Sequence, residues 1–382
     1  IINFPEEPET VQENIREIAP QVVNYNSRLW ESLAREIQVK IMDTAPWKRL
    51  IYNLFAPIGR RVAEMELEGR GKLNLLIRML YWLGDLAVFK PLRDKLGLSG
   101  IRAAYTAGAA LSPATLRFFH GIGVNIKQMY GLTEALISSH PSHDVKAESV
   151  GRPLEDVEVR IPEQGEILTR GEVCFIGYHK DPEATQEVYR GGWFHTGDAG
   201  FMDEEGHLIY YDRMSDLKTL ADGTKFAPQY IEIRLKLSHL GGVRIFSCSG
   251  CGCLIGAVIN IDFKNVGKWA EDRNIPYTTF VDLSQKDEVY DLIREELEKI
   301  NRTLPERNRV KKYVLLHKEF DPDEAELTRT RKLRRDYMEE RYKDIIAAIY
   351  GEKEKVFAEA QVRYRDGRIG KVGTELKVRS LE

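Results

Sequence analysis

The chain has 382 residues, with 56 lysines and arginines against 59 aspartates and glutamates and 43% hydrophobic residues. That length and balance exclude intrinsic disorder and collagen-like repetition, and they allow two or three domains with packed cores. A formal net charge of −3 gives no overall attraction to nucleic acid or to an anionic bilayer, so any anion site has to be built locally. Three of the four cysteines (Cys174, Cys248, Cys251 and Cys253) crowd one glycine-rich turn, which is no disulfide framework and makes a reducing, cytoplasmic compartment the expectation. The opening residues Ile1 to Pro8 carry neither an initiator Met nor a basic region before an apolar one, so they read as the start of a cut piece and not as a signal peptide.

Residues 9–100 are dominated by helix-period segments, with Pro46, Pro57 and Pro91 as breaks. The most lipid-like stretch, Leu73 to Phe89, carries Arg78 and Asp85 and falls short of the ~18 to 20 apolar residues that a spanning helix needs. A buried or half-buried helix is the favoured reading, and a surface that touches membrane or an acyl chain is the alternative. From Ile101 the texture changes. Ile101 to Thr106 reads as a strand ending in Gly108-Ala109-Ala110, Ser112-Pro113 opens a helix through His120, and Val124 to Met129 reads as a second strand stopped by Tyr130-Gly131. In a parallel sheet such a unit places its loops at the carboxyl ends of the strands, where ligands sit.

Residues 150–212 are strand-rich, with turns at Gly165, Gly191-Gly192 and Gly206. Beyond Arg213 the pattern is mixed: a helix start near Pro228, strands around Val243 to Phe246 and Leu254 to Ile261, and helices at about 286–301 and 332–349. The tail alternates across Phe357 to Tyr364, turns at Asp366-Gly367 and resumes at Thr374 to Val378, as a hairpin appendage.

Four stretches carry chemistry. Gly108-Ala109-Ala110 and Tyr130-Gly131-Leu132-Thr133-Glu134 supply small residues that let a flat ring approach backbone, an aromatic that can stack on it, a hydroxyl for a phosphate oxygen and a carboxylate suited to Mg²⁺. Taken singly, the glycines serve tight turns, Tyr130 is core and Thr133-Glu134 begins a helix. In Trp193 to Asp198, followed by Asp212-Arg213, a carboxylate on a glycine turn can accept both hydroxyls of a ribose while an arginine bonds the same sugar or its phosphate. The third stretch, Ala221 to Glu232, is a glycine turn at Gly223 leading into a proline-started helix. The fourth, Glu326 to Arg335, is a basic segment whose bland reading is a solvated face.

In this order and separation the four stretches resemble the adenylate-forming enzymes, and within them the long-chain acyl-CoA synthetases. Asn3 to Leu33 and Thr169 to Tyr189, with Gly177-Tyr178 and Asp181 to Thr185, are similar to further parts of that family. The resemblance implies an α/β fold. A partial AMP-binding (adenylation) domain, with a parallel sheet and helices, would span 1–213 and hold a β-rich subdomain at about 150–212. A mobile C-terminal α+β domain would span 214–350, and a β-hairpin tail 351–382.

It also implies a two-step ligase. A fatty acid attacks the α-phosphate of ATP to give acyl-AMP and pyrophosphate, and the thiol of coenzyme A then displaces AMP. By resemblance Gly108 and Ala109 line the adenine with Tyr130 stacked on it, Gly131 belongs to the same cofactor-binding set, Thr133 contacts phosphate, Glu134 holds Mg²⁺, and Asp198 and Arg213 hold the ribose. Lys332 corresponds to the mobile-domain lysine that reaches the α-phosphate and carboxylate, and the Gly223 turn approaches the thiol's tunnel after rotation of that domain.

One part of the pattern is missing. The family's Ser/Thr/Gly-rich phosphate loop ending in lysine has no counterpart in these residues, so little or no ligase activity is expected of the chain alone. Ser215 stands where the family has a charged hinge residue, and Arg329 and Arg331 replace a proline and an apolar residue near Lys332. A fatty acyl-AMP ligase loading a carrier protein, and a non-catalytic nucleotide- or partner-binding fragment, are the alternatives.

Cys248, Cys251 and Cys253 offer three thiolates where a structural zinc needs four ligands, so a turn between strands is favoured. Pro141 separates His140 from His143, and both read as loop histidines. No basic segment carries an aromatic-interleaved nucleic-acid signature. Fatty acid, ATP and coenzyme A are the expected small-molecule partners, with peripheral membrane contact resting on Leu73 to Phe89.

Overall fold

The computed structural model describes residue 7 and residues 10–69, 73–219, 225–235, 255–318, 335–351, 353–363 and 369–381. The chain divides into two units, Ile1–Ser215 and Asp216–Glu382.

The first unit begins with α1 (Val11–Ile18), strand β1 (Val22–Asn26), α2 (Ser27–Met42), α3 (Pro46–Leu67), α4 (Leu75–Gly84), a π-helical turn (Asp85–Phe89) and α5 (Lys90–Leu96). Asn26 caps α2 by accepting from the Leu29 N–H at 2.9 Å, and Asn74 caps α4 through the Leu76 N–H. Pro46 sits in the first turn of α3, where a missing N–H costs nothing, whereas Pro91 follows the π-helical turn inside a continuous helical run and Pro57 lies inside α3 and does not end it. Packing holds α3 across that point. A Cβ on Gly59 would lie 2.6 Å from the Gly121 carbonyl oxygen, so the two glycines let α3 and the later helix that ends at Gly121 touch backbone to backbone.

Strand β2 (Ala103–Ala107), α6 (Pro113–Gly121), β3 (Ile126–Gly131), β4 (Leu136–Ser139) and β5 (Arg152–Pro153) complete a five-stranded sheet in the order β1-β2-β3-β4-β5. The first two pairings are parallel and the last two antiparallel. Ser112 Oγ accepts from the Thr115 N–H with Pro113 beside it, the helix entry read from sequence. Strand β3 runs through Tyr130 and Gly131, where the sequence placed its stop. Trp30 anchors the core: its indole N–H donates to the Tyr105 carbonyl at 3.1 Å and its ring meets Phe119 at 4.9 Å.

A second, antiparallel sheet fills the strand-rich span. Its elements are β6 (Val157–Arg160), β7 (Glu166–Gly171), α7 (Pro182–Val188), β8 (Tyr189–Arg190), β9 (Trp193–Met202) and β10 (Leu208–Arg213), in the order β10-β9-β7-β6 with β8 against β9.

The second unit contains β11 (Lys218–Thr219) paired with β12 (Lys225–Phe226), then α8 (Pro228–Leu235), β13 (Ile255–Ile259), α9 (Phe263–Glu271), α10 (Phe280–Ser284), α11 (Asp287–Asn301), β14 (Val310–Leu315), α12 (Arg335–Arg341), α13 (Lys343–Tyr350), β15 (Lys355–Arg363) and β16 (Ile369–Ser380). Its sheet order is β13-β14-β16-β15, with β13 and β14 parallel. Ala257, Ile259, Tyr313 and Leu315 pack on one face with α8 to α11. Val258, Val314 and Leu316 pack on the other with Met338, Ile345 and Ile349. The C-terminal hairpin is therefore no appendage, because β16 pairs with β14 and its Leu376 is buried in the second of these cores. Val243 to Phe246, Gly223, Lys332 and the cluster Cys248, Cys251 and Cys253 lie outside the described residues.

Leu73 to Phe89 is half-buried, within the favoured reading. Phe89 and Gly84 are buried, but Leu75, Leu76, Met79, Trp82, Leu83 and Leu86 are exposed. Among the described residues no helix is long and apolar enough to cross a membrane.

Candidate functional site

Because β2 and β3 are parallel neighbours, the loops that follow them emerge at one edge of the first sheet. Gly108 and Ala109 occupy the first loop, both exposed. Gly108 has φ +86°, a conformation that suits glycine, and an added Cβ there would meet no atom within 4 Å. The second loop is a tight return from β3 to β4. A Cβ on Gly131 would lie 2.6 Å from the Ala135 carbonyl oxygen and 2.9 Å from Leu136 Cα, so only glycine fits. Thr133 and Glu134 stand on the bend of this return and begin no helix, Thr133 exposed and Glu134 half-buried.

Tyr130 crosses to the second sheet. Its hydroxyl donates to Asp198 Oδ2 at 2.7 Å, and its ring lies 5.5 Å from that of Tyr210. Arg213 stands opposite Asp198 in the β9–β10 pairing and brings its Nε to 3.1 Å from Asp198 Oδ1. That approach is an ion pair outside hydrogen-bond alignment, so the buried Oδ1 has no hydrogen-bond donor. Burial pushes the Asp198 carboxyl up from its ordinary pKa, against the Tyr130 hydrogen bond and the Arg213 charge, which favour the carboxylate. Burial likewise raises the Tyr130 phenol, which keeps its proton as the donor.

The turn that carries Asp198 is held by residues the sequence reading did not single out. Glu166 on β7 accepts from the Gly197 N–H at 3.1 Å through Oε1 and meets His195 Nδ1 at 2.9 Å through Oε2. Thr196 donates to the Ile167 carbonyl at 2.7 Å and accepts from the Asp198 N–H at 3.1 Å. Glu166 alternates along a strand like any solvent-facing charge, and nothing in its spacing marks it. A second such partner is Tyr178, whose hydroxyl donates to Glu134 Oε1 at 2.8 Å, while the Phe175 N–H donates to the Glu134 carbonyl at 2.7 Å. Gly177-Tyr178 was noted in sequence without a role.

The residues fit the ligands the sequence implies. An unpaired acceptor on buried Asp198 beside an exposed guanidinium suits a group bearing vicinal hydroxyls and a phosphate. Among the described residues no three acidic, histidine or cysteine side chains form a metal cluster. The single carboxylate of Glu134 instead matches the way Mg²⁺ is held, by one or two carboxylates together with substrate phosphates. Asp198 contacts both Tyr130 and Arg213, Gly108 and Gly131 share a sheet edge, and Glu134 faces Tyr178. The contributions of Gly223 and Lys332 fall outside the described residues.

The set joins an aromatic at the end of a parallel strand to an aspartate–arginine pair on an antiparallel hairpin, an arrangement suited to a nucleotide. The family described as AMP-binding enzyme matches residues 2–179, and the AMP-binding enzyme C-terminal domain matches residues 275–354. Residues 2–179 and 275–354 thus carry the two domains of the AMP-binding enzyme family. It is 31% identical over 287 residues to the long-chain-fatty-acid–CoA ligase FadD15 of Mycobacterium tuberculosis, covering 74% of this chain and 48% of that protein. It is 29% identical over 364 residues to long chain acyl-CoA synthetase 1 of Arabidopsis thaliana, covering 89% of this chain and 53% of that one. The chain thus spans about half the length of the curated relatives it matches. In fold it is similar to the adenylation domain of a carboxylate reductase from Mycobacterium chelonae, with a TM-score of 0.61 at 19% identity over 89% of this chain and 48% of that one. The adenylation domain of a carboxylic acid reductase from Segniliparus rugosus, solved with AMP and a co-purified carboxylic acid, gives 0.58 at 19% identity over the same shares.

Proposed function

We propose that the chain supplies the adenine and ribose subsites and the mobile C-terminal domain of an ATP-dependent long-chain-fatty-acid–CoA ligase. The observation that carries this reading is the convergence of Tyr130, Asp198 and Arg213, with Asp198 Oδ1 left without a donor. In this reading the ribose hydroxyls donate to Asp198, Arg213 bonds the sugar or its phosphate, and Gly108, Ala109 and Gly131 admit the adenine beside Tyr130. Thr133 bonds a phosphate oxygen. Glu134 holds Mg²⁺, which when bound offsets negative charge on the phosphates. The domain limits proposed are 1–213 and 214–382, with the hairpin of 351–382 inside the second domain.

A fatty acid is already ionised at neutral pH, so adenylation needs alignment and cations and no general base. One carboxylate oxygen forms the bond to the α-phosphorus as the bond to pyrophosphate breaks, and Lys332 approaches both groups. The coenzyme A sulfur then attacks the acyl carbon and AMP leaves, with the Gly223 turn near the thiol. The similarity to named fatty-acid–CoA ligases supports the acyl and thiol substrates. Cytoplasmic residence follows from the cysteine usage alone. Because no Ser/Thr/Gly-rich loop ending in lysine occurs in the 382 residues, the chain by itself is expected to turn over little or no palmitate with ATP and coenzyme A.

Calorimetry with AMP and with 2′,3′-dideoxy-AMP tests the reading. AMP is expected to bind, with on the order of tenfold or greater loss for the dideoxy analogue or for Asp198→Ala. Equal binding of both nucleotides, or none, sinks it.

A further inference from the structure

Strand β9 carries extra residues where Asp198 sits. Between the Glu166–Ala199 and Leu168–His195 pairings β7 advances two residues and β9 advances four, so Thr196, Gly197 and Asp198 bulge out of the β7–β9 ladder. A bulge re-aims a side chain and takes backbone N–H groups away from the carbonyls of the facing strand. Asp198 is the side chain re-aimed.

Side chains supply the missing acceptors. Thr196 Oγ accepts from the Asp198 N–H at 3.1 Å and donates to the Ile167 carbonyl at 2.7 Å. Glu166 Oε1 accepts from the Gly197 N–H at 3.1 Å, and its Oε2 lies 2.9 Å from His195 Nδ1. Glu166 therefore grips the bulge at two points, and both of its oxygens are spent on β9. From the other side Arg213 Nη1 donates to the Thr196 carbonyl at 3.4 Å. Gly197 has φ +67°, and a Cβ there would meet no atom within 4 Å. With no side chain to pack, this permissive residue is held by its hydrogen bond, which limits the pivot of Asp198 behind it. Burial first, and more weakly the nearby Glu166 charge, raise the Asp198 carboxyl.

We infer that Glu166 is a positioning residue for Asp198. Tyr130 anchors the carboxylate at Oδ2 and Glu166 anchors the backbone that carries it, which together keep Oδ1 aimed at vicinal hydroxyls. Glu166 thereby sets the preference for a ribose over a deoxyribose nucleotide, acting through Asp198 and not by contact with the ligand. The inference rests on the nucleotide reading above and deepens it.

Calorimetry of Glu166→Ala, Glu166→Asp and Glu166→Gln with AMP and with 2′,3′-dideoxy-AMP tests it. In Glu166→Ala the preference for AMP over the analogue is expected to fall on the order of tenfold, through weaker AMP binding with the analogue's affinity unchanged. Glu166→Asp keeps the charge but is a methylene too short to reach both partners, and it should lose the preference as well, which carries the test even where Glu166→Ala fails to fold. Glu166→Gln keeps the length and an acceptor for Gly197 without the charge, and should restore the wild-type preference. A purely structural role would weaken both nucleotides alike, or lower the melting temperature with the preference intact. Either result overturns the inference, as does a Glu166→Gln variant as defective as Glu166→Ala. A wild type without any preference sinks the ribose reading and this inference with it. A wild type that prefers AMP, with the full preference kept in Glu166→Ala and Glu166→Asp, overturns this inference alone.

Discussion

The Tyr130 hydroxyl donates to Asp198 Oδ2 at 2.7 Å, joining the end of a parallel strand to an antiparallel hairpin 68 residues further along the chain. This bond fixes which oxygen of the carboxylate stays free. With Oδ2 engaged, Oδ1 is the atom left to accept from a ligand, and Arg213 stands beside it.

Tyr130→Phe keeps the ring and removes the donor, leaving a buried carboxylate oxygen unsatisfied. We expect a loss of about 1–3 kcal/mol in unfolding free energy, measured by urea denaturation, together with weaker AMP binding. A variant as stable as the parent would show that the bond contributes nothing net.

Gly108 and Gly131 are predicted to respond in opposite ways. Gly131→Ala drives a methyl against the Ala135 carbonyl and Leu136, and should cost about 1–3 kcal/mol or more in stability. Gly108→Ala meets open space and strains only the backbone at φ +86°, a cost of about 1–2 kcal/mol, while narrowing the approach of a flat ring to the backbone. Thermal melts with and without AMP should therefore separate a stability phenotype at Gly131 from a binding phenotype at Gly108.

Tyr178→Phe should leave the fold intact, because Tyr178 is exposed, yet free the Glu134 carboxylate from its 2.8 Å partner. If Glu134 holds a divalent ion, the outer-shell bond orients it, and Mn²⁺ affinity of the ATP-saturated chain should fall on the order of tenfold by electron paramagnetic resonance titration. Unchanged affinity would separate Tyr178 from any metal role.

Acid should weaken the first unit through His140. The His140 ring accepts from the Gln128 N–H through Nδ1 at 3.0 Å and meets Ser149 Oγ through Nε2 at 2.8 Å. Ser149 Oγ in turn meets His207 Nδ1 at 2.9 Å, and His207 Nε2 lies 3.1 Å from Asp144. The Lys146 N–H also faces the ring. Burial first, and then the neighbouring His207, push His140 down to about 3 from an ordinary 6.5. A histidine depressed in the fold stays neutral while the unfolded chain takes up the proton, so stability declines as pH falls from about 6.5 toward about 3. The slope is at most about 1.4 kcal/mol per pH unit for this group. Urea midpoints at pH 7.5 and pH 5 should differ in that direction, and the difference should shrink in His140→Asn.

Much of the local structure was legible because it depends on neighbours in sequence. Ser112-Pro113 opens α6 through a cap reaching three residues ahead. The strand-rich texture of 150–212 reports a real antiparallel sheet. What sequence hid was set by contacts across long separations. Pro57 reads as a break until the Gly59–Gly121 contact shows what holds α3 through it. Tyr130 reads either as core or as a stacking ring, and it is buried while its hydroxyl reaches the candidate site. Glu166 carries no local mark at all. Leu73 to Phe89 reads as a buried or half-buried helix and is half-buried, but apolar composition does not say which side is covered.

The order of strands in the second unit bears on how the polypeptide leaves the ribosome. Central strand β14 has β13 on one side, made earlier, but on the other side it waits for β16, which is made only after α12, α13 and β15. Until then one edge of β14 stays open, so a nascent chain that stalls between β14 and β16 would present an unpaired strand edge, a natural substrate for chaperones.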